Sequence, residues 1–457
     1  MAKDRVDYCC TECGWTSPKW VGQCRECHAW GTLEETAGGA AAPAVPVALT
    51  PRHPALPMTR VDAEVARSRP TGLGELDRVL GGGIVPGAVI LLAGEPGVGK
   101  STLLLEVAAT AARSTPTGAG PVLYVTGEES ASQVKTRAER IGAVDDHLLL
   151  ADDNDLATIL GHVEATAPSL LVVDSVQTVH TDRADGGAGG VSQVRAVAAG
   201  LIRTAKERNL PVLLVGHVTK DGGIAGPRVL EHLVDVVCQF EGDRHSRLRL
   251  LRAVKNRFGP TDEVGCFELV ETGVRELPDP SGLFLSHSAS EVPGACVTVS
   301  LEGRRPMPTE VQALVATSSG GSPRRTTSGV DHARVAMVLA VMQARLGLDA
   351  SDLDVYVSTV GGARAQEPSA DLAVAVSLAS AMRRSTPRSG LVVIGEVGLT
   401  GEIRQCVGVR QRLAEAQRLG FTRAVVPAQG SQDLAGIEGL DVLTVSDLAS
   451  AVRVALP

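Results

Sequence analysis

Short apolar runs alternate with helix-like segments through the middle of the chain. The runs at 89–93, 169–174 and 211–216 are rich in Val, Leu and Ile, and residues 102–112 have the composition of a helix. Strands that are apolar on both faces and alternate with helices are typical of a parallel sheet covered on both sides. The pattern therefore predicts an α/β core, which we place at residues 58–279.

The first predicted strand leads into a glycine-rich turn that ends in Lys and Ser. Gly94-x-x-x-x-Gly99-Lys100-Ser101, placed between a strand and a helix, is the sequence of a phosphate-binding loop. Its glycines let backbone N–H groups converge on a phosphate chain, Lys100 would reach the β- and γ-phosphates, and Ser101 would hold Mg²⁺. A glycine turn that binds no nucleotide is the alternative. The predicted ATP-binding residues are Gly94, Glu95, Pro96, Gly97, Val98, Gly99, Lys100, Ser101 and Thr102.

Carboxylates follow two other predicted strands. Asp174 ends the run 169–174, where a magnesium-holding aspartate is expected downstream of a phosphate-binding loop. Glu128 and Glu129 follow a strand predicted at 121–126, at the sheet edge where ligands bind. One of them would polarise the attacking water. We favour Glu128, while Glu129 stays a competitor that alternatively helps to cap the next helix.

The strand at 211–216 brings His217 and Lys220 to the same edge. We interpret His217 as a candidate γ-phosphate sensor, with a turn or helix-cap histidine as the alternative. Two glycine-rich loops, 185–190 and 222–226, are flanked by basic residues. They are candidates for gripping a nucleic-acid backbone, although most such loops are ordinary surface loops.

The N-terminal segment has a composition of its own. Five of the nine cysteines precede residue 28 and all three tryptophans lie there. Two closely spaced thiolate pairs suit tetrahedral zinc in a closed, structural site, and the metal would stabilise a segment too short for its own core. The predicted ligands are Cys10, Cys13, Cys24 and Cys27. We expect Cys9 and His28 not to be ligands, and disulfide pairing is the alternative.

Length and charge set the remaining limits. A chain of 457 residues is too long for a single hydrophobic core, so we expect more than one domain. The net charge of −8 argues against a protein that coats a polyanion. No apolar run reaches membrane-spanning length and no signal-peptide core is recognisable, so we expect a cytoplasmic protein without a membrane partner. The predicted domains are a four-cysteine zinc module at 1–35, an Ala/Pro-rich linker at 36–57, the ATPase core and a second domain at 280–457.

The order of these motifs is similar to that of a known bacterial family. Residues 80–83 (Leu-Gly-Gly-Gly) and the phosphate-binding loop resemble the RecA/DnaB ATPase core. The pentapeptide at 255–259 (Lys-Asn-Arg-Phe-Gly) and the zinc segment resemble those of the bacterial RadA (Sms) recombination and repair proteins, and the resemblance runs the whole length. It implies a hexameric ring with ATP sites between subunits.

Lys255 and Arg257 alternate on a strand predicted at 248–256, so both point to one face. Two cations this far from the phosphate-binding loop are suited to act in trans, as finger residues that contact the γ-phosphate bound by a neighbouring subunit. An ordinary charge pair at a strand end is the alternative. The predicted catalytic residues are Lys100, Glu128, Asp174, Lys255 and Arg257.

Residues 280–457 resemble the α+β proteolytic domain of Lon proteases. Ser369 stands where Lon has its nucleophilic serine, but the position matching Lon's catalytic lysine is Arg410. Arginine stays charged in proteins and cannot act as a base. Asp371 replaces a small residue of the Lon pattern and puts a carboxylate near Ser369. We therefore expect a proteolytically inactive scaffold.

No lysine follows Lys255, so every later cation is an arginine. Arginine pairs bidentately with phosphate, which makes the arginines candidate DNA contacts, and a solvated surface explains them equally well. The candidates are Arg304, Arg305, Arg324, Arg325, Arg383, Arg384, Arg404, Arg410 and Arg412.

The resemblance implies a DNA-dependent ATPase of homologous recombination and DNA repair. Its cofactors would be ATP, Mg²⁺ and Zn²⁺, and its partners single-stranded DNA, branched recombination intermediates and the RecA recombinase. It would be a helicase-like motor for branch migration. Two alternatives remain, a KaiC-like ATP-driven assembly switch and, from Ser369, an ATP-dependent Lon-like peptidase.

Overall fold

The computed structural model describes residues 7–36, 55–60, 67–114, 120–217, 229–242, 246–286, 292–318, 323–430 and 439–457. The chain divides into two compact units, Met1–Ala63 and Glu64–Pro457. Most of the predicted linker, together with Lys220 and the loop 222–226, lies outside the described residues. Across the described ranges, no helix combines the length and apolarity that a membrane span requires.

The first unit is a small antiparallel sheet with very little apolar interior. Its strands are β1 (Asp7–Cys10), β2 (Thr16–Ser17) and β3 (Leu33–Thr36), in the order β2-β1-β3. Cys10, Cys24 and Leu33 are its buried apolar residues within the described range. Because three such residues cannot stabilise a fold, the unit depends on what its cysteines bind.

The second unit begins with a sheet of nine strands among the described residues. Its strands are β4 (Val89–Gly94), β5 (Val122–Thr126), β6 (Leu148–Ala151), β7 (Leu170–Asp174), β8 (Val212–His217), β9 (Val236–Glu241), β10 (Leu248–Asn256), β11 (Val264–Val270) and β12 (Gly273–Glu276). Their order is β12-β11-β10-β9-β4-β8-β7-β5-β6, parallel from β9 to β6 and antiparallel from β9 to β12.

Helices cover both faces of this sheet. They are α1 (Gly74–Leu80), α2 (Lys100–Arg113), α3 (Ala131–Arg140), α4 (Leu156–Thr166), α5 (Val191–Arg208) and α6 (Val229–Leu233). Every residue of β4, β5 and β7 is buried, as two-sided packing requires. The predicted strands are confirmed, and the predicted helix 102–112 begins two residues earlier, at Lys100.

A second sheet follows within the same unit. A short helix, α7 (Ser281–Phe284), precedes it. The strands are β13 (Ala295–Glu302), β14 (Arg305–Thr317), β15 (Arg325–Ser328), β16 (Leu353–Thr359), β17 (Leu391–Val393), β20 (Arg423–Pro427) and β21 (Asp441–Val445); β18 (Glu396–Val397) and β19 (Ile403–Arg404) form a separate hairpin. The helices α8 (His332–Leu346), α9 (Asp371–Arg383), α10 (Val409–Arg418) and α11 (Leu448–Ala455) complete the α+β domain. The predicted fold class is confirmed for both domains.

A buried ion pair joins the two sheets. Arg305, on β14, pairs with Glu75 on α1 and also donates to the carbonyl oxygen of Pro278 at 2.6 Å. Glu75 in turn accepts from the backbone N–H of Cys266 at 2.8 Å. The prediction that Arg305 contacts DNA is therefore wrong, because its guanidinium is buried in this junction.

Candidate nucleotide site and four-cysteine metal centre

The turn between β4 and α2 has the geometry of an anion cradle. Gly97 and Gly99 have φ of 80° and 109°, which favours glycine, and α2 begins at Lys100. A Cβ on Gly94 would lie 2.4 Å from the carbonyl oxygen of Phe240. Only glycine therefore fits where β4 ends. The N-terminus of α2 faces the turn with backbone N–H groups that a phosphate would satisfy.

Lys100 is buried and bonded to its own loop. Its Nζ donates to the carbonyl oxygens of Gly94 at 2.8 Å and Glu95 at 2.9 Å. Burial lowers its pKa, opposed by the carboxylates of Asp174 and Glu128. The ammonium group thus rests on weak carbonyl acceptors, which a phosphate oxygen can replace with a stronger, charged partner.

Asp174 lies at the end of β7, beside the end of β5. The buried hydroxyl of Tyr124 donates to its Oδ2 at 2.8 Å. Burial, together with the adjacent carboxylate, raises the pKa of Tyr124 well above its ordinary value, so the phenol remains a donor. Tyr124 therefore fixes the orientation of the Asp174 carboxylate through Oδ2. The sequence reasoning missed this residue, because a tyrosine inside an apolar strand has the pattern of a core residue.

Glu128 is held by two neighbours: Ser175, which directly follows β7, and His217, the last residue of β8. Its Oε1 accepts from Ser175 Oγ at 2.6 Å and lies 3.0 Å from His217 Nε2. Burial alone would raise the pKa of Glu128, but these two hydrogen bonds outweigh it and the pKa lies below its ordinary range. The side chain is therefore a carboxylate at neutral pH. Ser175 was also missed by the sequence reasoning.

Glu129 points elsewhere. Its Oε1 pairs with Arg137 of α3 at 2.5 Å. The first turn of α3 is capped by Ser130 together with Gln133, so the alternative cap assigned to Glu129 is wrong. Between the two glutamates, the geometry favours Glu128 as the residue that faces the nucleotide edge.

His217 is the last residue of β8 and contacts Glu128 through Nε2. Its Nδ1 is buried and, within the described residues, has no hydrogen-bond partner. A buried polar atom left without a partner is uncommon, and a functional role is one explanation for it. The role of His217 as a γ-phosphate sensor stays a prediction.

Arg249, another residue that the sequence reasoning missed, holds the phosphate-binding loop by a hydrogen bond to its backbone. It is buried on β10, and its Nε donates to the carbonyl oxygen of Val98 at 3.1 Å. A second donor, Nη1, binds the carbonyl oxygens of Ser246 and Leu248. The sequence did carry one indication of its role, because Arg249 is a charged residue inside a mainly apolar strand.

Lys255 and Arg257 lie at the opposite edge of the sheet from the phosphate-binding loop. The predicted strand β10 is confirmed, and its end pairs with the start of β9, which pairs with Ile90 near the start of β4. The loop begins five residues after Val89, or about 15 Å away along the strand. Lys255 donates to three carbonyl oxygens at the end of α6, and Arg257 pairs with Asp235.

The glycine-rich loop 185–190 is well organised. The buried amide of Gln193 donates to the carbonyl oxygens of Thr181, Ala184 and Gly186. Arg183 and Arg195 beside it are exposed. The second predicted loop, 222–226, and Lys220 lie outside the described residues.

The four predicted zinc ligands come together. One ligand atom from each of Cys10, Cys13, Cys24 and Cys27 forms a group whose members all lie within 4.8 Å of one another. The Sγ atoms of Cys10 and Cys27 are 3.7 Å apart and those of Cys13 and Cys24 are 3.5 Å apart. Tetrahedral zinc with bonds of ~2.3 Å requires about 3.8 Å between sulfurs, so the donor set fits Zn²⁺.

The alternative of disulfide pairing is wrong, because each of these cysteines is a free thiol. A hydrogen bond from Thr32 lowers the pKa of Cys10 to about 6, whereas burial and the neighbouring thiols raise the pKa of Cys13 and of Cys27. Cys9 lies outside the group and donates to the carbonyl oxygens of Cys10 and Gly14 instead.

A third polar centre surrounds Ser369, and it corrects two predictions. The arginine that faces Ser369 is Arg412, not Arg410: Arg412 Nη1 donates to Ser369 Oγ at 2.9 Å, whereas Arg410 is exposed. The carboxylate beside Ser369 is Glu367, whose Oε1 and Oε2 pair with Arg412 at 2.5 and 2.7 Å. Asp371 turns away to pair with Arg334. The sequence could not show which face of α10 packs against β13, and therefore could not show which of the two arginines points toward Ser369.

Three parts of the chain match known domain families. Residues 54–223 match an AAA domain, residues 8–35 a rubredoxin metal binding domain, and residues 332–457 the Lon protease (S16) C-terminal proteolytic domain. These matches agree with the nucleotide turn, the four-cysteine cluster and the second α+β domain.

Curated relatives match over nearly the whole chain. A DNA repair protein RadA from Mycolicibacterium smegmatis is 52% identical over 99% of this chain and 97% of its own length. The DNA repair protein RadA of Mycobacterium tuberculosis is 52% identical over 97% of this chain and 92% of its own. That of Bacillus subtilis is 43% identical, and both chains are covered completely.

Proposed function

Because the chain belongs to the family of the bacterial DNA repair protein RadA, we propose that it is a DNA-dependent ATPase that works as a hexameric ring on single-stranded DNA. The observation that carries the proposal is the placement of two cations, Lys255 and Arg257, at the sheet edge opposite their own phosphate-binding loop. Cations in that position cannot complete their own nucleotide site, but they suit a site formed with a neighbouring copy.

Each residue at the nucleotide edge has a definite part in this proposal. The turn from Gly94 to Gly99 and the N-terminus of α2 bind the phosphates, and Lys100 leaves its carbonyl acceptors for the γ-phosphate. Ser101 and Asp174 hold Mg²⁺, which supplies charge neutralisation on the phosphates. Glu128, kept ionised by Ser175 and His217, orients the attacking water.

The neighbour completes the site. Lys255 and Arg257 would stabilise the charge that develops on the γ-phosphate, a contribution worth ~10³- to 10⁵-fold in turnover for a finger arginine. Once the γ-phosphate has left, His217 loses its contact and Glu128 is released. The proposed motor transmits this change to the segment that follows β7, where Arg183 and, in the first turns of α5, Arg195 would present cations toward DNA.

In this proposal the motor extends branched recombination intermediates together with RecA. The support is the family name and the exposed arginines of the described residues. Of the candidate arginines of the second domain, those that are exposed are Arg304, Arg324, Arg383, Arg384, Arg404 and Arg410.

We also propose that the second domain is not a protease. Ser369 is buried, and the cation beside it is an arginine, which cannot take the serine proton. Glu367 binds that arginine through both oxygens, so the pair is closed against a peptide substrate.

Steady-state ATP hydrolysis with and without single-stranded DNA tests the main proposal. We expect stimulation by DNA in the native chain and no turnover in Lys100→Ala. Arg257→Ala should lose turnover while retaining nucleotide binding. A rate indifferent to DNA would instead favour the KaiC-like switch, and normal turnover in Lys100→Ala would refute the assigned site.

A further inference from the structure

A buried carboxylate lies directly behind the proposed finger. The side chain of Asp235 is 5% exposed, whereas that of Arg257 is 55% exposed. Arg257 Nη1 donates to Asp235 Oδ1 at 3.1 Å. Within the described residues this is the one hydrogen bond of the guanidinium, so Nε and Nη2 keep their donors for another partner.

The carboxylate of Asp235 is itself fixed in place. Its second oxygen, Oδ2, accepts from Lys206 Nζ at 2.6 Å and from the backbone N–H of Val89 at 3.0 Å. Val89 is the first residue of β4, the strand that leads into the phosphate-binding loop. Asp235 therefore cannot rotate without breaking contacts to α5 and to β4.

Burial alone would raise the pKa of Asp235, but Lys206 and the N–H of Val89 lower it, so the group is ionised at neutral pH. Lys206 compensates the carboxylate even when Arg257 turns partly toward another anion. One edge of the guanidinium can thus stay bound while the outer edge receives a phosphate. A long, exposed arginine without such a partner would lose more rotamer entropy when it docks.

We propose that Asp235 is a positioning residue: it holds the inner edge of Arg257 so that the outer donors face the γ-phosphate of a nucleotide bound by a neighbouring copy. This inference rests on the proposed function, because it takes Arg257 as the finger. It adds a residue that neither the family motifs nor the nucleotide edge itself indicates.

Asp235→Asn is the first test. Asparagine keeps the size and an acceptor for Val89 but removes the charge that orders Arg257. We expect kcat of the DNA-stimulated ATPase to fall ~10- to 100-fold, as for a misplaced catalytic group, with the Kd for a non-hydrolysable ATP analogue unchanged within about twofold. A kcat within about twofold of the native value, in a variant that binds the analogue, would overturn the proposal.

Glu268→Gln is the matched control. Glu268 is a similarly buried carboxylate of the same sheet and pairs with the exposed Arg275, but it lies away from the finger. We expect native kcat in this variant. Asp235→Glu is the second variant in case Asp235→Asn does not fold: it keeps the charge and displaces the carboxylate, and kcat should again fall, by at least about fivefold.

A double variant separates positioning from a structural role. If Asp235 acts through Arg257, then Asp235→Asn combined with Arg257→Ala will be no slower than Arg257→Ala alone. Independent, additive losses in kcat would contradict the proposal.

Mixed assemblies distinguish failure of this inference from failure of the proposed function. Lys100→Ala supplies intact fingers, and Arg257→Ala supplies intact phosphate-binding loops, so their mixture should regain turnover. If the mixture does not regain turnover, Arg257 does not act on a neighbouring copy, and the proposed positioning role of Asp235 is refuted as well. Recovery alongside a native kcat in Asp235→Asn would refute Asp235 alone.

Discussion

Two polar centres, one in each sheet of the large unit, differ in how completely their hydrogen bonds are made. At the nucleotide edge Lys100 rests on carbonyl oxygens, Glu128 is half-exposed, and His217 keeps a buried nitrogen without a partner among the described residues. Around Ser369, by contrast, Arg412 is 1% exposed and donates to two carbonyl oxygens, a carboxylate and a hydroxyl.

This difference is the one expected between a site that binds a ligand and a centre that stabilises the fold. A site for phosphate must keep donors that can exchange their partners, and such donors cost stability until the ligand arrives. In the Ser369 centre, by contrast, the donors of Arg412 are bonded to groups of the protein itself. Loss of a polar group should therefore harm activity at the first centre and stability at the second.

The largest effect is expected from Arg412→Met. The change leaves Glu367 half-buried without its ion-pair partner, which typically costs about 3–5 kcal/mol, so we expect a loss of about 3 kcal/mol in the free energy of unfolding. Urea unfolding of the native and variant chains measures it. ATPase activity below the denaturation range should be native.

Glu367→Gln added to Arg412→Met is the control for that prediction. It removes the uncompensated charge while the amide oxygen still accepts from Leu301 N–H, so the double variant should recover part of the loss. Equal stability of the single and double variants would show that the ion pair is not what holds this centre.

Tyr124→Phe should weaken magnesium use at the first centre. Removal of the hydroxyl frees Asp174 Oδ2 to rotate, and losses of a residue behind a metal ligand typically cost ~10- to 100-fold in metal affinity. We expect a Mg²⁺ titration of ATPase activity to shift about tenfold toward higher concentration, with little change in melting temperature. Tyr356→Phe, on β16, is the matched control, and an unshifted titration in Tyr124→Phe would contradict the assigned contact.

Ser175→Ala should change the pH dependence of turnover. In the native chain the hydrogen bond from Ser175 lowers the pKa of Glu128, so the active carboxylate persists above that lowered pKa and is lost as the pH falls through it. Without the hydroxyl the pKa rises, and the acid limb of kcat against pH should move to higher pH. A native acid limb in this variant would show that Glu128 is not the titrating group.

The smallest effect is expected from Ser369→Ala. Arg412 keeps its bonds to Glu367 and to the carbonyl oxygen of Val299, so the loss of one hydroxyl should cost about 1 kcal/mol of unfolding free energy. ATP hydrolysis should be unchanged. If the native chain cleaves a fluorogenic peptide and Ser369→Ala does not, then Ser369 is a nucleophile and its centre is not only structural.

Local patterns predicted the parts of the molecule that one segment can build. The turn from Gly94 to Ser101 and the Cys-x-x-Cys pairs each carry their geometry in residue spacing, and β10 follows from its own alternation. Arg412 and Arg305 were misjudged because their partners, Glu367 and Glu75, are distant in sequence. Tyr124, Ser175 and Arg249 were missed because each has the pattern of an ordinary strand or loop residue.

By itself, the sequence determined the parallel sheet, the phosphate-binding turn, the four clustered thiols and the family, because these depend on residue patterns, spacings and the order of motifs along the chain. The tertiary structure alone decided which glutamate faces the nucleotide edge, which arginine closes on Ser369, and which carboxylate lies behind Arg257. Those choices depend on which side of a helix or strand packs inward and on what another strand brings to meet it. Burial then decides whether a charge stays available to a ligand or is neutralised inside the protein.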